Sequence, residues 1–299
     1  MLTGRFAPSP SAPLHVGNLR TALLAWCAAR SAGGRFLVRI EDLTTSSAVD
    51  HAEGQLADLA ALGLDHDGTV LRQSERGARY ATVIDELVAA GRTYPCYCSR
   101  REVREAAVAP HGPSPEGAYP GTCRDLGPGE LRRREAEGRR PALRLDAQGE
   151  RVSVSDALLG TQEVAVDDLV IRRADGLVAY NLAVVVDDAD QEVDQVVRGD
   201  DLWETTPRQV LLQQLLGFPT PGYLHVPLVL GPSGERLSKR DGAVTLADRL
   251  AVGESVPELL GRLAASAGLA ADGERLAAID VATRFDAERL VRDPWVFRP

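Results

Sequence analysis

The chain has 299 residues, 44% hydrophobic and 26% charged, which is room for two domains of about 150 residues and the composition of a globular rather than a disordered protein. No apolar run exceeds Ala22–Ala29, well short of the ~20 residues of a membrane span, and the opening MLTGRFAPSP has no signal core. Four cysteines do not make a disulfide scaffold, so a cytoplasmic protein with reduced thiols is expected; a net charge of −9 disfavours indiscriminate binding along nucleic acid but allows a local basic surface.

The elements alternate between strand and helix. Residues 2–7 read as a strand entering the loop PSPSAP, and Leu19, Ala22, Leu23, Trp26 and Cys27 set a helical period over 14–30. FLVRI (36–40) reads as a buried strand ending at Glu41-Asp42, followed by helices near 50–62 and 76–91 that stop at Gly63 and Gly91. This is the start of a β-α-β array with helices covering a largely parallel sheet. The pattern breaks at Tyr94, and residues 97–151 carry 11 Arg against 9 acidic residues in an acidic chain, as expected of an insertion. Strands are expected again at 164–171 and 177–186, then at 193–202. A helix follows with Thr206 as its cap and Pro207 in its first turn, then a strand at 224–230. The last 50 residues read as helical, with Ser255-Val-Pro-Glu258 as a capping box. The expected division is a catalytic domain from 1–93 and 187–245, an inserted subdomain at 94–186, and a helical C-terminal subdomain at 246–299.

Four polar clusters each follow a strand: Arg5 to Ser9, Glu41-Asp42, Arg198 to Asp201, and Ser238-Lys239-Arg240. Ligands of open parallel sheets bind outside the carboxyl ends of the strands, so all four should converge on one rim. Polar loops after strands are common, but four in this order outweigh that reading. Arg5 offers a bidentate clamp for carboxylate or phosphate, Glu41 a partner for an ammonium group. LHVGN (14–18) opens a helix whose free N–H groups suit a phosphate, with His15 and Asn18 on the first turn and Gly17 leaving space for a ligand. Lys239 is the only lysine beside 33 arginines. A codon-biased surface would carry Arg there, so the position calls for a compact ammonium that follows phosphate charge through a transition state.

Cys96, Cys98 and Cys123 are three soft ligands. A tetrahedral zinc ion needs a fourth; His111 in the intervening loop is the commoner type, and Tyr119 lies four residues before Cys123. Three unrelated reduced thiols are the plain alternative, and Cys27, on an apolar helix face, reads as core.

Together these segments resemble the class I aminoacyl-tRNA synthetases of the glutamyl type. GRFAPSPSAPLHVGN is similar to the segment with the family's HIGH motif and RIEDL to the strand after it. AYNLAVVVDD and VVRGDDL resemble the substrate-pocket segments, and RLSKRDGA the KMSKS loop. The matches run in order from residue 4 to about 245. Only about 60 residues follow the last of them, too few for the large anticodon-binding domain of full-length glutamyl enzymes, so the expected subtype is the truncated paralogue family, the glutamyl-queuosine tRNA(Asp) synthetases.

That resemblance implies a Rossmann-like parallel sheet with an inserted zinc-binding α+β subdomain and a small helical C-terminal subdomain. It implies activation of L-glutamate by ATP without tRNA, with Mg²⁺, and transfer of glutamate to the queuosine base of the tRNA(Asp) anticodon. Arg5, Ala7, Ser9, Glu41, Tyr180 and Arg198 would line the glutamate pocket. Arg5 and Arg198 would pair with carboxylate, Tyr180 would donate a hydrogen bond and Glu41 would hold the ammonium. His15, Gly17, Asn18, Ser238 and Lys239 would seat ATP, with His15, Gly17 and Lys239 serving catalysis. The family's C-x-C, Y-x-x-x-C zinc pattern moves the fourth ligand from His111 to Tyr119, giving Cys96, Cys98, Tyr119 and Cys123. A monomer with no membrane partner is expected. Two departures stand out: Ser11-Ala-Pro13 replaces a usual Gly, and IEDLTTSS lacks the Asp and Arg usual after IEDL. Rival readings are a shortened glutamyl-tRNA synthetase charging tRNA(Glu) and a non-catalytic nucleotide- or tRNA-binding relative.

Overall fold

The computed structural model describes residues 1–43, 51–99, 101–103, 118–237, 242 and 244–299. A seven-stranded sheet is built from β1 (Thr3–Phe6), β2 (Arg35–Ile40), β3 (Leu71–Arg72), β6 (Arg151–Asp156), β7 (Gly160–Ala165), β9 (Gln195–Gly199) and β10 (Gly222–Val226), in the order β3-β2-β1-β9-β10-β6-β7. Every pairing is parallel except the β6–β7 hairpin. From β1 the chain moves outward to β2 and later returns on the other side as β9, so the strand order reverses between β1 and β9, where a crevice opens at the carboxyl ends.

Side-chain alternation sorts two cores. Phe36, Val38, Ile40, Val197, Leu224 and Val226 face α1 (Val16–Ser31), whose Leu19, Leu23, Trp26 and Cys27 are buried against them. The opposite face, with Val196 and Tyr223, is covered by α3 (Gly77–Ala89), α5 (Tyr180–Asp190) and α6 (Thr206–Leu216). Apolar burial of this kind contributes roughly 1.5–3 kcal/mol for each large aliphatic side chain.

The first elements lie where the sequence puts them. The helix expected near 50–62 contains α2 (Ala52–Ala61), and Gly63 and Gly91 end α2 and α3 with φ of 73° and 67°, a conformation costly for other residues. Residues 177–186, read as a strand, instead run into helix α5. A short run of apolar and β-branched residues has no period that separates a buried strand from a helix buried on several sides, and Leu182–Asp188 are all buried. The segment 164–171 divides between β7 and β8 (Leu169–Arg172), with Asp168 turned inward between them. Thr206 is the first residue of α6 rather than its cap, which is Thr205. The strand expected at 224–230 breaks at Pro227 into β10 and β11 (Val229–Leu230). The C-terminal stretch holds α7 (Leu246–Ala251), α8 (Val256–Ser266) and α9 (Ala278–Thr283), with the Ser255–Glu258 capping box in place. It is not wholly helical: β12 (Trp295–Val296) pairs with β11.

A second, three-stranded antiparallel sheet joins β4 (Thr93–Cys96), β5 (Ala142–Leu145) and β8, with α4 (Pro128–Ala136) beside it in sequence. Hydrogen bonding cuts across the division expected at 94 and 186, because β6 and β7 join the large sheet. Among the described residues no helix is long and apolar enough to cross a membrane.

Candidate active site

A cavity of about 450 Å³ lies at the switch point between β1 and β9. Arg5, Ala7, Ser9, His15, Gly17, Asn18, Glu41, Tyr180 and Arg198 all line it. Of the four clusters placed on one rim, Arg5–Ser9, Glu41 and Arg198–Asp201 contribute to this wall. Asp42 does not: its carboxylate accepts from the Ser74 N–H and hydroxyl at 2.8 and 2.7 Å, outside the cavity. Ser238, Lys239 and Arg240, and likewise His111 and Thr44–Ser47, lie outside the described residues. The approach to that loop is visible: Arg236 lines the cavity and pairs with Asp201 at 2.9 Å.

The loop after β1 is fastened at several points. Glu41 N–H donates to Pro8 O at 2.9 Å, and the buried Gln55 of α2 donates to Ser9 O and Ala12 O at 2.9 and 2.7 Å. Ala7 and Ser9 are therefore held at the cavity wall despite the proline-rich sequence.

His15 is the N-cap of α1. Its Nδ1 accepts the Asn18 N–H at 3.2 Å, while Asn18 Oδ1 accepts the His15 N–H at 3.1 Å, a capping box with histidine in the usual Ser/Thr place. Nδ1 being an acceptor, the hydrogen-bond network assigns the proton to Nε2. Burial, then the Arg236 charge, hold the imidazole below its ordinary pKa, so at neutral pH it is a neutral donor. Gly17 has a tighter reason than ligand access: a Cβ there would stand 2.9 Å from His15 Cε1 and 3.0 Å from Nδ1.

The acidic and basic groups are interlocked. Arg5 donates from Nε to Asp188 Oδ1 at 3.2 Å, and Arg39, wholly buried, donates to the same oxygen at 2.8 Å and lies 3.5 Å from Glu41 Oε1. Asp188 is held below the ordinary carboxylate range by Arg5 and then Arg39, against the opposing effect of its burial. Glu41 goes the other way: burial pushes its pKa up more than Arg39 and Arg5 pull it down. Tyr180, the first residue of α5, keeps its phenol proton, since desolvation and the Glu41 charge both raise its pKa. Arg198 donates to His225 Nε2 at 3.0 Å, Gln209 Oε1 at 2.8 Å and Thr206 Oγ1 at 2.7 Å. Arg39, Gln55, Asp156, Asp188 and His225 join the site through contacts between distant segments that no local motif marks. Asp188 and Asp187 do lie within the AYNLAVVVDD segment, whereas Asp156 has no sequence signal at all.

The three cysteines come together in the small-sheet region. Their Sγ atoms all lie within 4.8 Å of one another, with Cys98–Cys123 at 3.4 Å. The Tyr119 hydroxyl is 3.4 Å from Cys96 Sγ and 3.7 Å from Cys98 Sγ. A tetrahedral zinc with Zn–S bonds of about 2.3 Å has ligand–ligand edges of about 3.8 Å, so three sulfurs and one phenol oxygen fit the ion in size and donor type. Arg144 donates to Cys96 Sγ at 3.2 Å and stacks 3.6 Å from the Tyr119 ring centre, an outer partner that favours negative ligands.

Comparison with known proteins agrees with this geometry. Residues 1–299 match the family described as tRNA synthetases class I (E and Q), catalytic domain. A glutamyl-Q tRNA(Asp) synthetase of Nocardia farcinica is 56% identical over 98% of this chain and 92% of its own length. Another, of Symbiobacterium thermophilum, is 49% identical over 98% and 95%. Among solved structures, a glutamate tRNA ligase of Elizabethkingia meningosepticum in complex with its amino acid superimposes with a TM-score of 0.83, 25% identity, and coverage of 99% of this chain and 67% of that one. The chain belongs to the class I tRNA synthetase family of the E and Q type, among the glutamyl-Q tRNA(Asp) synthetases.

Proposed function

We propose that the chain activates L-glutamate with ATP, without tRNA, and transfers it to the queuosine base of the tRNA(Asp) anticodon. The observation that carries this reading is the charge pattern of the switch-point cavity: Arg5, Arg198, Glu41 and Tyr180 all line it. Free glutamate has two carboxylates and one ammonium, the mirror of two guanidinium groups and one carboxylate. The relatives named for glutamyl-Q tRNA(Asp) supply the acceptor.

In this reading an α-carboxylate oxygen of glutamate attacks the α-phosphorus of ATP, the bond to the bridging oxygen breaks, and pyrophosphate leaves. A hydroxyl of queuosine then attacks the acyl carbon and AMP departs. No covalent enzyme intermediate is needed, so the protein's contribution is positioning and charge stabilisation. Arg5 spends only Nε within the protein among the described residues, which leaves its terminal nitrogens for a carboxylate. His15 donates from Nε2, the start of α1 adds N–H groups, and Lys239 supplies a point charge for the phosphates, with Mg²⁺ bound to ATP. Ser238 and Asn18 complete the ATP side, Asn18 largely by fixing His15. Zinc held by Cys96, Cys98, Tyr119 and Cys123 would be structural, tying the ends of a long insertion together. A cytoplasmic monomer completes the reading, with catalytic, inserted and C-terminal parts that share strands: β6 and β7 join the large sheet and β12 pairs with β11.

The deciding experiment offers labelled glutamate and ATP with tRNA(Asp) carrying queuosine, tRNA(Asp) lacking it, and tRNA(Glu). Transfer to the first alone is expected. Charging of tRNA(Glu) alone would replace the acceptor, and absence of glutamate-dependent ATP–pyrophosphate exchange would remove the enzyme reading altogether.

A further inference from the structure

One polar row crosses the α5-covered face of the sheet. Arg39 on β2, Arg5 on β1, Arg198 on β9, His225 on β10 and Asp156 on β6 occupy adjacent strands, and Arg198 and His225 are direct register partners. The first two residues of this row answer to carboxylates that line the cavity or touch it through Arg5. The last two do not line the cavity, yet both are fully buried in their side chains. Burying a charged Asp–His pair in a sheet core is costly unless each remaining polar atom finds a partner.

The hydrogen bonds form a directed chain. Asp156 Oδ2 lies 2.7 Å from His225 Nδ1, and a carboxylate can only accept, so Nδ1 carries the proton. In the neutral ring Nε2 is then a lone pair, and Arg198 Nε–H donates to it at 3.0 Å. His225 is also locked sideways by edge contact with Trp203 at 5.3 Å and stacking on Tyr223 at 5.9 Å between ring centres. Asp156 is fixed in turn: its Oδ1 accepts from Leu158 N and Leu159 N at 2.8 and 2.9 Å, and its Oδ2 from His225 N at 2.9 Å. All three neighbours that Arg198 donates to, His225, Gln209 and Thr206, are neutral, so its positive charge is oriented without being neutralised. Arg5, by contrast, is tied to Asp188.

We propose that Asp156 and His225 are positioning residues for Arg198. Asp156 selects the His225 tautomer that accepts from Arg198, and so aims a guanidinium with undiminished charge at a substrate carboxylate. The assignment rests on the reading of Arg198 as a glutamate ligand. With the other tautomer, Nε2–H would turn to the Thr206 hydroxyl 3.1 Å away and leave Arg198 Nε–H facing a donor, so the guanidinium would lose one of its three anchors.

The test uses the full-length protein and two readouts. Imidazole ¹⁵N spectra of the wild type, with His225 assigned through His225→Gln, should show Nδ1–H. Asp156→Asn keeps an oxygen for Leu158 and Leu159, gives up the acceptor of the His225 backbone N–H, and presents an amide N–H to Nδ1, which should convert the ring to Nε2–H, the logic by which an Asp-to-Asn change disables other His relays. In ATP–pyrophosphate exchange this variant should raise KM for glutamate roughly 10- to 100-fold, the range over which outer partners tune the side chains they hold. KM for ATP, and kcat at saturating glutamate, should change less than about threefold. His225→Gln, which returns a carbonyl acceptor near the position of Nε2, should keep KM for glutamate within about fivefold. A wild-type His225 protonated on Nε2 would overturn the proposal, as would a converted tautomer with unchanged KM for glutamate, or a loss confined to kcat. Arg198→Ala is the control on the underlying reading. If it leaves KM for glutamate unchanged while the Nδ1–H tautomer is observed, the fault lies in the glutamate assignment of Arg198, and the positioning role falls with it.

Discussion

Glu41 is a carboxylate that its surroundings discourage from ionising, because burial outweighs the attraction of Arg39 and Arg5. Its folded pKa is raised, so in the free protein the neutral form contributes stability at low pH, and that contribution is lost as pH rises through the raised value. Binding has the opposite sign. An ammonium group needs the ionised form, so glutamate affinity should be constant well above the raised pKa and fall as pH drops through it, beginning above the ordinary value of 4.5. KM for glutamate in ATP–pyrophosphate exchange, followed across the acid range, measures this. Glu41→Gln should flatten that limb and weaken binding by about 1.5–3 kcal/mol, the worth of a hydrogen bond to a charged group. Unaltered acid dependence in the variant would assign the limb to another residue. The charged residues of this site are legible singly in the sequence because each ends a strand. Their pairing is not, since Arg5 and Asp188 are 183 positions apart and meet only through the parallel crossover.

At the scale of elements, the first turn of α1 makes the histidine usable. The imidazole satisfies a helix N–H, the helix fixes the imidazole, and Gly17 leaves the space in which the two meet. Gly17→Ala would favour helix propensity yet set a methyl at 2.9 Å from the ring. The ring must shift, and we expect the melting temperature to change by a few degrees while adenylate formation falls by at least about tenfold, a loss of roughly 1.4 kcal/mol in transition-state binding. Wild-type exchange rates in this variant would show that His15 does not need its cap. Elements with a clear period, such as α1 and α3, were readable to within a few residues. Residues 177–186 were not, because β-branched runs suit a strand by propensity, and the covering of α5 on several sides leaves Leu182–Val186 a continuous apolar run with no helical period. The β10–β11 break was carried by a single proline, and the pairing of β11 with β12 left no trace in local sequence, as contacts between distant segments rarely do.

Across the whole molecule, stability is unevenly shared. The large sheet is sandwiched between two extensive apolar cores, whereas among the described residues the three-cysteine region forms a small cluster of its own, Tyr94, Cys96, Tyr119 and Cys123. Metal ligation by Cys96, Cys98, Tyr119 and Cys123 would add a constraint to this small cluster. Removing zinc with a chelator, or substituting Cys123→Ser, should therefore expose thiols and raise amide exchange in β4, β5 and the 119–127 turn. The main thermal transition should shift much less, and glutamate-dependent ATP–pyrophosphate exchange should persist. Metal analysis giving no bound zinc, or thiols that react freely as purified, would leave the cluster as three reduced cysteines.

The β11–β12 pair ties the timing of synthesis to that of function. Trp295 and Val296 pair with Val229 and Leu230, and Phe297, fully buried, donates its N–H to Leu230 O at 2.8 Å. This brace sits at the root of the segment that leads through Arg236 to Lys239. On the ribosome, β11 emerges long before its partner is made, and a contact between such distant segments forms late. While β11 lacks its partner strand, the stem of the segment leading to Lys239 is unsupported, so on the proposed roles of these residues competence to adenylate would arrive last.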